Sequence, residues 1–234
     1  MIQLLLFTPF LMAALVVGIP LLVWAGLLSP LGGFGATLGA WLVGAGAGLL
    51  AGLIGVFRAD KRPFAWAGLA VGVVLTGTIL LIGARAQTAP IHDISTDLEN
   101  PPPFTVATNH PDNAGRDLSY PHGHPDSAAL QRENYPGLRE NLPVWCDTPA
   151  EEVWGDVRAA AETMNWNVTW VNADDMLLEA EATSLIFRFV DDVVIRVQNS
   201  DDGCVRVDVR STSRVGQSDL GANAARIAEF LGKL

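Results

Sequence analysis

The chain has 234 residues, of which 50% are hydrophobic and 17% charged, and a formal net charge of −10. These averages join two unlike parts. Up to Arg85 the only charged residues are Arg58, Asp60, Lys61, Arg62 and Arg85, whereas 24 of the 25 acidic and 11 of the 15 basic residues follow, leaving the later part at net −13. A surface that acidic argues against nucleic acid and against adhesion to an anionic lipid leaflet, since both carry the same sign.

Leu4 to Leu28, Phe34 to Phe57 and Phe64 to Gly83 are uncharged apolar runs. At 1.5 Å of helix rise per residue each covers a hydrocarbon core of about 30 Å. Met1-Ile2-Gln3 lacks the basic start of a cleaved signal peptide, and two further spans follow the first. The connection Arg58–Pro63 is basic, which by the positive-inside rule places it and the N-terminus in the cytoplasm and everything after Gly83 outside. The expected location is a bacterial inner (cytoplasmic) membrane, with a periplasmic C-terminal domain. No ionisable residue lies within a span, so transport chemistry is not expected. Gly44, Gly48 and Gly52 fall at four-residue spacing on the second span, with Gly68 and Gly72 on the third. Such faces let backbones approach closely. Either the two spans seal against each other, or the faces receive another protein's helix.

The expected organisation is a three-helix transmembrane anchor over 1–85, a Pro-rich connector over 86–145 and a globular domain over 146–234. The connector carries nine prolines, including Pro101-Pro102-Pro103, and shows no sustained period, so it reads as extended or irregular and packed on the domain. Thr148-Pro149-Ala150-Glu151 predicts a capping box with Pro at the first helical position. Val153, Trp154, Val157, Ala160, Ala161 and Met164 then share a helical face ending near Asn165. Alternation around Val168–Trp170, Leu178–Ala182, Val193–Val197 and Val205–Val209 predicts four half-buried strands. A last helix is predicted from an N-cap at Ser218, with Leu220, Ala224, Ile227, Leu231 and Leu234 on one face. The fold class is an α-helical membrane segment plus an α+β domain, its antiparallel sheet covered on one face by two helices. Cys146 and Cys204 are the only cysteines, and outside the membrane they are either a disulfide or two buried thiols.

Three stretches carry a family likeness: Ile91–Asp97 followed by Pro101-Pro102-Pro103-Phe104, then Asp191–Val197, then the long block Val207–Ile227. Over about Ile91 to Leu231 the chain resembles the domain of unknown function 1499 family. Its members occur in bacteria, often behind membrane spans, and in photosynthetic eukaryotes. The family has no established activity, so the resemblance implies domain limits and topology but no reaction. His122-Gly123-His124 and the two cysteines depart from its pattern.

Among the matched residues, Asp219, Asn223 and Arg226 fall at i, i+4 and i+7 of the final helix, while Ser213 and Arg214 precede its N-terminus, where free N–H groups favour an anion. With Arg210 these six form a candidate small-anion or polar-ligand site; the alternative is that the charges satisfy one another. Glu179 and Glu181 are expected to face Arg196 and Arg206 across the sheet. His92, His110, His122 and His124 lie among connector aspartates, but a loop His-x-His without a fixed third ligand is a weak metal signal. No catalytic motif, cofactor fingerprint or metal set is recognised. The leading expectation is a non-catalytic, membrane-anchored accessory or scaffold protein docking on other membrane-protein subunits of a respiratory, photosynthetic or envelope complex. A periplasmic ligand-binding module comes second, and a hydrolase or metal-dependent enzyme third.

Overall fold

The computed structural model describes residues 2–85, 89–121, 124–140, 142–200 and 202–234. They form two units, Met1–Gln87 with Ser184–Arg188, and Thr88–Thr183 with Phe189–Leu234.

The first unit contains three helices, α1 (Ile2–Trp24), α2 (Pro30–Phe57) and α3 (Arg62–Arg85), with a 3-10 turn at Ala59–Lys61. The described residues thus include three helices long and apolar enough to cross a membrane. Large apolar side chains such as Leu4, Leu42, Leu53 and Leu80 are exposed, as a surface bathed in hydrocarbon requires. Ser29 caps α2, its Oγ accepting the Gly32 N–H at 3.2 Å, and Pro30 takes the first helical position. The inner seams are made of small residues. A Cβ placed on Gly48 would stand 2.5 Å from Gly72 Cα and 2.7 Å from the Gly68 carbonyl oxygen. Gly44 faces Met12 and Leu75, Gly52 faces Leu69, and Gly68 faces Ala51 and Pro9. These five glycines are therefore used inside the bundle, where α2 meets α3 and α1.

In the second unit six antiparallel strands form one sheet: β1 (Asp93–Ser95), β2 (Val144–Trp145), β3 (Asn167–Asn172), β4 (Leu177–Thr183), β5 (Val190–Asn199) and β6 (Val205–Ser213). The order is β1-β6-β5-β4-β3, with β2 also on β6. Strands β3 to β6 are a meander, in which Val193 pairs with Ser211 and Ala180 with Val193. One face packs Leu178, Val193, Ile195, Val207 and Val209 against α6 (Ala150–Thr163) and α7 (Ala222–Leu231), which contribute Val157, Ala161, Ile227 and Phe230. The opposite face bears Glu179, Asp192, Arg196, Asp208 and Arg210 beside a small apolar cluster of Phe104, Ala107, Leu118 and Val194.

The connector is more structured than its sequence suggests. It supplies β1, two 3-10 turns at Ala107–Asn109 and Pro111–Asn113, the helices α4 (Ser127–Asn134) and α5 (Gly137–Glu140), and β2. β1 and β2 pair with opposite ends of β6, covering an edge that would otherwise present free N–H and C=O groups. Residues 101–120 lie over the polar face and form a third layer beyond helices and sheet. By contrast, α4 and α5 return to the helix side, where Leu130, Tyr135 and Leu138 pack on the main core.

Two helix starts differ from expectation. Pro149 stands outside α6 as its cap residue, at ψ 146°, with no side-chain cap from Thr148; the residue before a proline is driven to extended backbone and Pro149 continues that course. α7 begins at Ala222 because Leu220 and Gly221 are both left-handed, at φ 54° and 83°. Leu220 is consequently exposed, and Asp219 rather than Ser218 supplies the cap, accepting the N–H groups of Gly221 and Asn223 at 2.8 Å each.

Candidate functional site

The six residues singled out from sequence are divided between the two faces of the sheet, because β6 sends alternate side chains to opposite sides. Ser213, Asp219, Asn223 and Arg226 lie on the helix side. There Asn223 Nδ2 donates to the His92 carbonyl at 2.9 Å and to Ser213 Oγ at 3.0 Å, while Ser211 Oγ donates to Asn223 Oδ1 at 2.7 Å. Arg226 donates to Ser211 Oγ, to Asn223 Oδ1 and, through Nη2, to Asp191. Burial pushes Asp219 up from the ordinary carboxyl range, outweighing the two N–H groups it accepts. Burial likewise pushes His92 down against the attraction of Asp93.

Arg210 and Arg214 lie on the connector side. Arg214 binds both oxygens of Asp192, reaches Glu181 at 2.6 Å and extends to Asp112 at 3.4 Å. Burial opposes the charge of Arg214, but Asp192 and Glu181 outweigh it and raise its pKa. Glu181 shows the converse: burial would raise it, yet the bonds from Arg214 and Asn167 hold it below the usual range. Arg210 grips Asp93 through Nε at 2.9 Å and Nη2 at 2.8 Å, with both residues fully buried. The six residues thus do not converge on one ligand; each is tied into a network joining helix or connector to the sheet.

Glu179 and Glu181 do not face Arg196 and Arg206. The fully buried Glu179 carboxylate accepts the backbone N–H groups of Thr105, Val106 and Ala107. Arg196 and Arg206 instead share Asp97 and Asp208. Asn113 donates to Asp192 Oδ2, and Gln131 exchanges two hydrogen bonds with the Ser95 backbone. Asp93, Asp97, Asn113, Gln131 and Glu179 had no sequence signal as sites, since each is defined by a partner more than 30 positions away.

Cys146 and Cys204 are joined in a disulfide, binding the end of β2 to the start of β6. His110 Nε2 stands 3.5 Å from Glu181, while Nδ1 of both His110 and His124 accepts a backbone N–H two residues on. His122 lies outside the described residues. Among the described residues no group of three or more His, Cys, Asp or Glu side chains could hold a metal ion.

Two concavities of the second unit stand on opposite faces. One of about 830 Å³ runs between α7 and the segment around Tyr135, Pro136 and Leu138, and its wall is mostly apolar: Ala224, Ala225, Ala228 and Leu231. The other, of about 370 Å³, lies in the connector layer, with Phe104, Arg116, Tyr120 and Arg210 among its walls. No curated protein matches the chain. A family model described as a protein of unknown function, DUF1499, matches residues 93–234, more than half of the chain and starting at the first residue of β1. The chain therefore belongs to the DUF1499 family.

Proposed function

We propose that this chain is a membrane-anchored, non-catalytic accessory protein whose C-terminal unit docks on a larger membrane complex of the respiratory, photosynthetic or envelope type. The observation that carries the reading is the apolar groove beside α7. Ala225 and Ala228 are exposed one helical turn apart on α7, flanked by Leu231 and the Tyr135–Leu138 segment. Small side chains on an exposed helix let a partner's backbone approach closely, and an apolar concavity of this size fits an apolar segment of another subunit. The proposed setting is a bacterial inner membrane with the N-terminus cytoplasmic and the C-terminal unit periplasmic. Arg58 and Lys61 between α2 and α3, with Arg62 at the start of α3, support that direction. The Cys146–Cys204 disulfide supports it as well, since such bonds persist in oxidising compartments.

The test is affinity purification of the tagged full-length chain from native membranes in mild detergent, with mass spectrometry of what accompanies it, in parallel with Ala228→Arg. A stoichiometric set of membrane subunits that Ala228→Arg loses is the expected result. A chain that emerges alone overturns the accessory role. Subunits retained unchanged by the variant overturn the groove as the docking surface.

A further inference from the structure

We propose that the connector-side cavity binds a small aromatic monocarboxylate, its ring against Phe104 and Tyr120 and its carboxylate on the guanidinium groups of Arg210 and Arg116. The cavity is built by two local features. Pro101-Pro102-Pro103 has no backbone N–H to give a strand, so it runs past the sheet with its carbonyls free to accept. The segment then turns through 107–113 and returns along Leu118–Tyr120, leaving about 370 Å³ between its two limbs and Arg210 on β6.

Arg210 is 2% exposed, and its guanidinium lies over the rings of Phe104 and Tyr120, at 4.9 and 5.4 Å from their centroids. Its Nε and Nη2 are well used, on Asp93 and on the Leu118 carbonyl at 2.8 Å. Nη1 is not. Among the described residues it reaches the Pro102 carbonyl at 3.4 Å and nothing nearer, a length at which little of a hydrogen bond remains. A buried cationic donor so weakly satisfied, on the wall of a cavity, has an acceptor to gain. Arg116, on the same wall, bonds Asn113 Oδ1 at 2.6 Å and the Ser213 carbonyl at 2.7 Å. Burial, reinforced by Arg214, outweighs Asp192 and Asp93 and holds its pKa below the ordinary arginine value, so further negative charge beside it is stabilising.

The ligand class follows from charge and shape. Asp93 already pairs with Arg210, and Asp192 and Asp93 both act on Arg116, so a single added charge is accommodated where a phosphate dianion would be repelled. The rings of Pro101, Phe104 and Tyr120 offer flat apolar walls to a planar group. This site is on the sheet face opposite the α7 groove, so its test is independent of the docking reading.

The experiment is calorimetric titration and thermal unfolding of the full-length protein in detergent with benzoate, and with inorganic phosphate as the comparison. The expected result is saturable benzoate binding with Kd on the order of 1 mM, as suits so small a ligand, together with a rise in melting temperature that phosphate does not reproduce. Ser119→Trp, an exposed position on the rim, should abolish the binding while leaving the melting temperature without ligand unchanged. Thr108→Trp, also exposed on the rim, should do the same from the other limb. Absence of saturable binding, an equal response to phosphate, or binding undiminished in a folded rim variant would each overturn the proposal.

Discussion

The Asp93–Arg210 pair shows what the buried charges of this unit cost and give. Both side chains are out of water, so neither charge is stabilised by solvent, and each depends on the other. Asp93→Ala, which leaves Arg210 charged and unpaired, should destabilise the protein by about 3–5 kcal/mol. Asp93→Leu combined with Arg210→Met should restore part of that loss; urea unfolding followed by tryptophan fluorescence measures both. If the double variant were no better than the single one, the pair would not be the source of the effect. The same residues mark how far the sequence could be read. Alternation along β6 identified its apolar face, and the same alternation separates Arg210 and Arg214 from Ser211 and Ser213. Grouping Arg210 with Ser213 as one site ignored that parity. That Asp93 is Arg210's partner was beyond reach, because it depends on β1 folding back to β6 from 117 positions away.

Protonation acts at this scale too, with two windows of opposite cause and the same direction. His92 is held neutral by burial, so the unfolded chain takes up a proton first as pH falls below about 6.5. Stability should decline from there until the depressed folded pKa is reached, and His92→Gln should flatten the decline that begins below about pH 6.5. Glu181 is depressed by Arg214, so its contribution is complete above its ordinary pKa of about 4.5 and is lost as pH falls through the lower folded value. Glu181→Gln should remove that later loss only. Melting temperatures of the full-length variants across pH 7.5 to 3.5 separate the two; identical profiles for wild type and both variants would refute both assignments.

At the scale of elements, long ones were legible and short ones were not. The three apolar helices and strands β3 to β6 declare themselves by composition and period within their own length. β1 and β2 have three and two residues, too few to show any period, and exist because β6 has an edge to fill. α7 was misplaced at its start because Ser218 resembles a cap locally, while the left-handed Leu220 and Gly221 decide where the helix can begin. The glycine seam of α2 gives a sharp contrast within one helix. Gly48 meets the backbone of Gly72 and Gly68, which has no side chain to swing away, whereas nothing lies within 4 Å of a Cβ on Gly46. Gly48→Leu should therefore force α2 from α3, lowering the melting temperature and yield of monodisperse protein. Gly46→Leu should leave both unchanged. Equal tolerance of the two would mean that close packing at Gly48 does not hold the bundle.

At the scale of the whole molecule, the disulfide and the basic loop bear on the same question by separate routes. The bond closes a loop over a sequence separation of 58 residues, and the loss of unfolded-state entropy on closing it is worth about 4 kcal/mol in the chain-entropy view. That stabilisation is available only where thiols are oxidised as the domain folds. The proposed orientation then predicts two results from one preparation of intact cells. After quenching and denaturation, Cys146 and Cys204 should react with a maleimide polymer only if a reductant is added first. A cysteine introduced at Asp60, within the basic loop, should be labelled by an impermeant maleimide only once the membrane is opened. Free thiols at Cys146 and Cys204 together with an Asp60→Cys site labelled from outside would reverse the orientation. Cys146→Ser with Cys204→Ser should lower the melting temperature under oxidising conditions and leave it equal to that of the reduced wild type. A double variant well below the reduced protein would show that the serine replacements damage the packing around β2 and β6, and that the loss is not the cross-link's own.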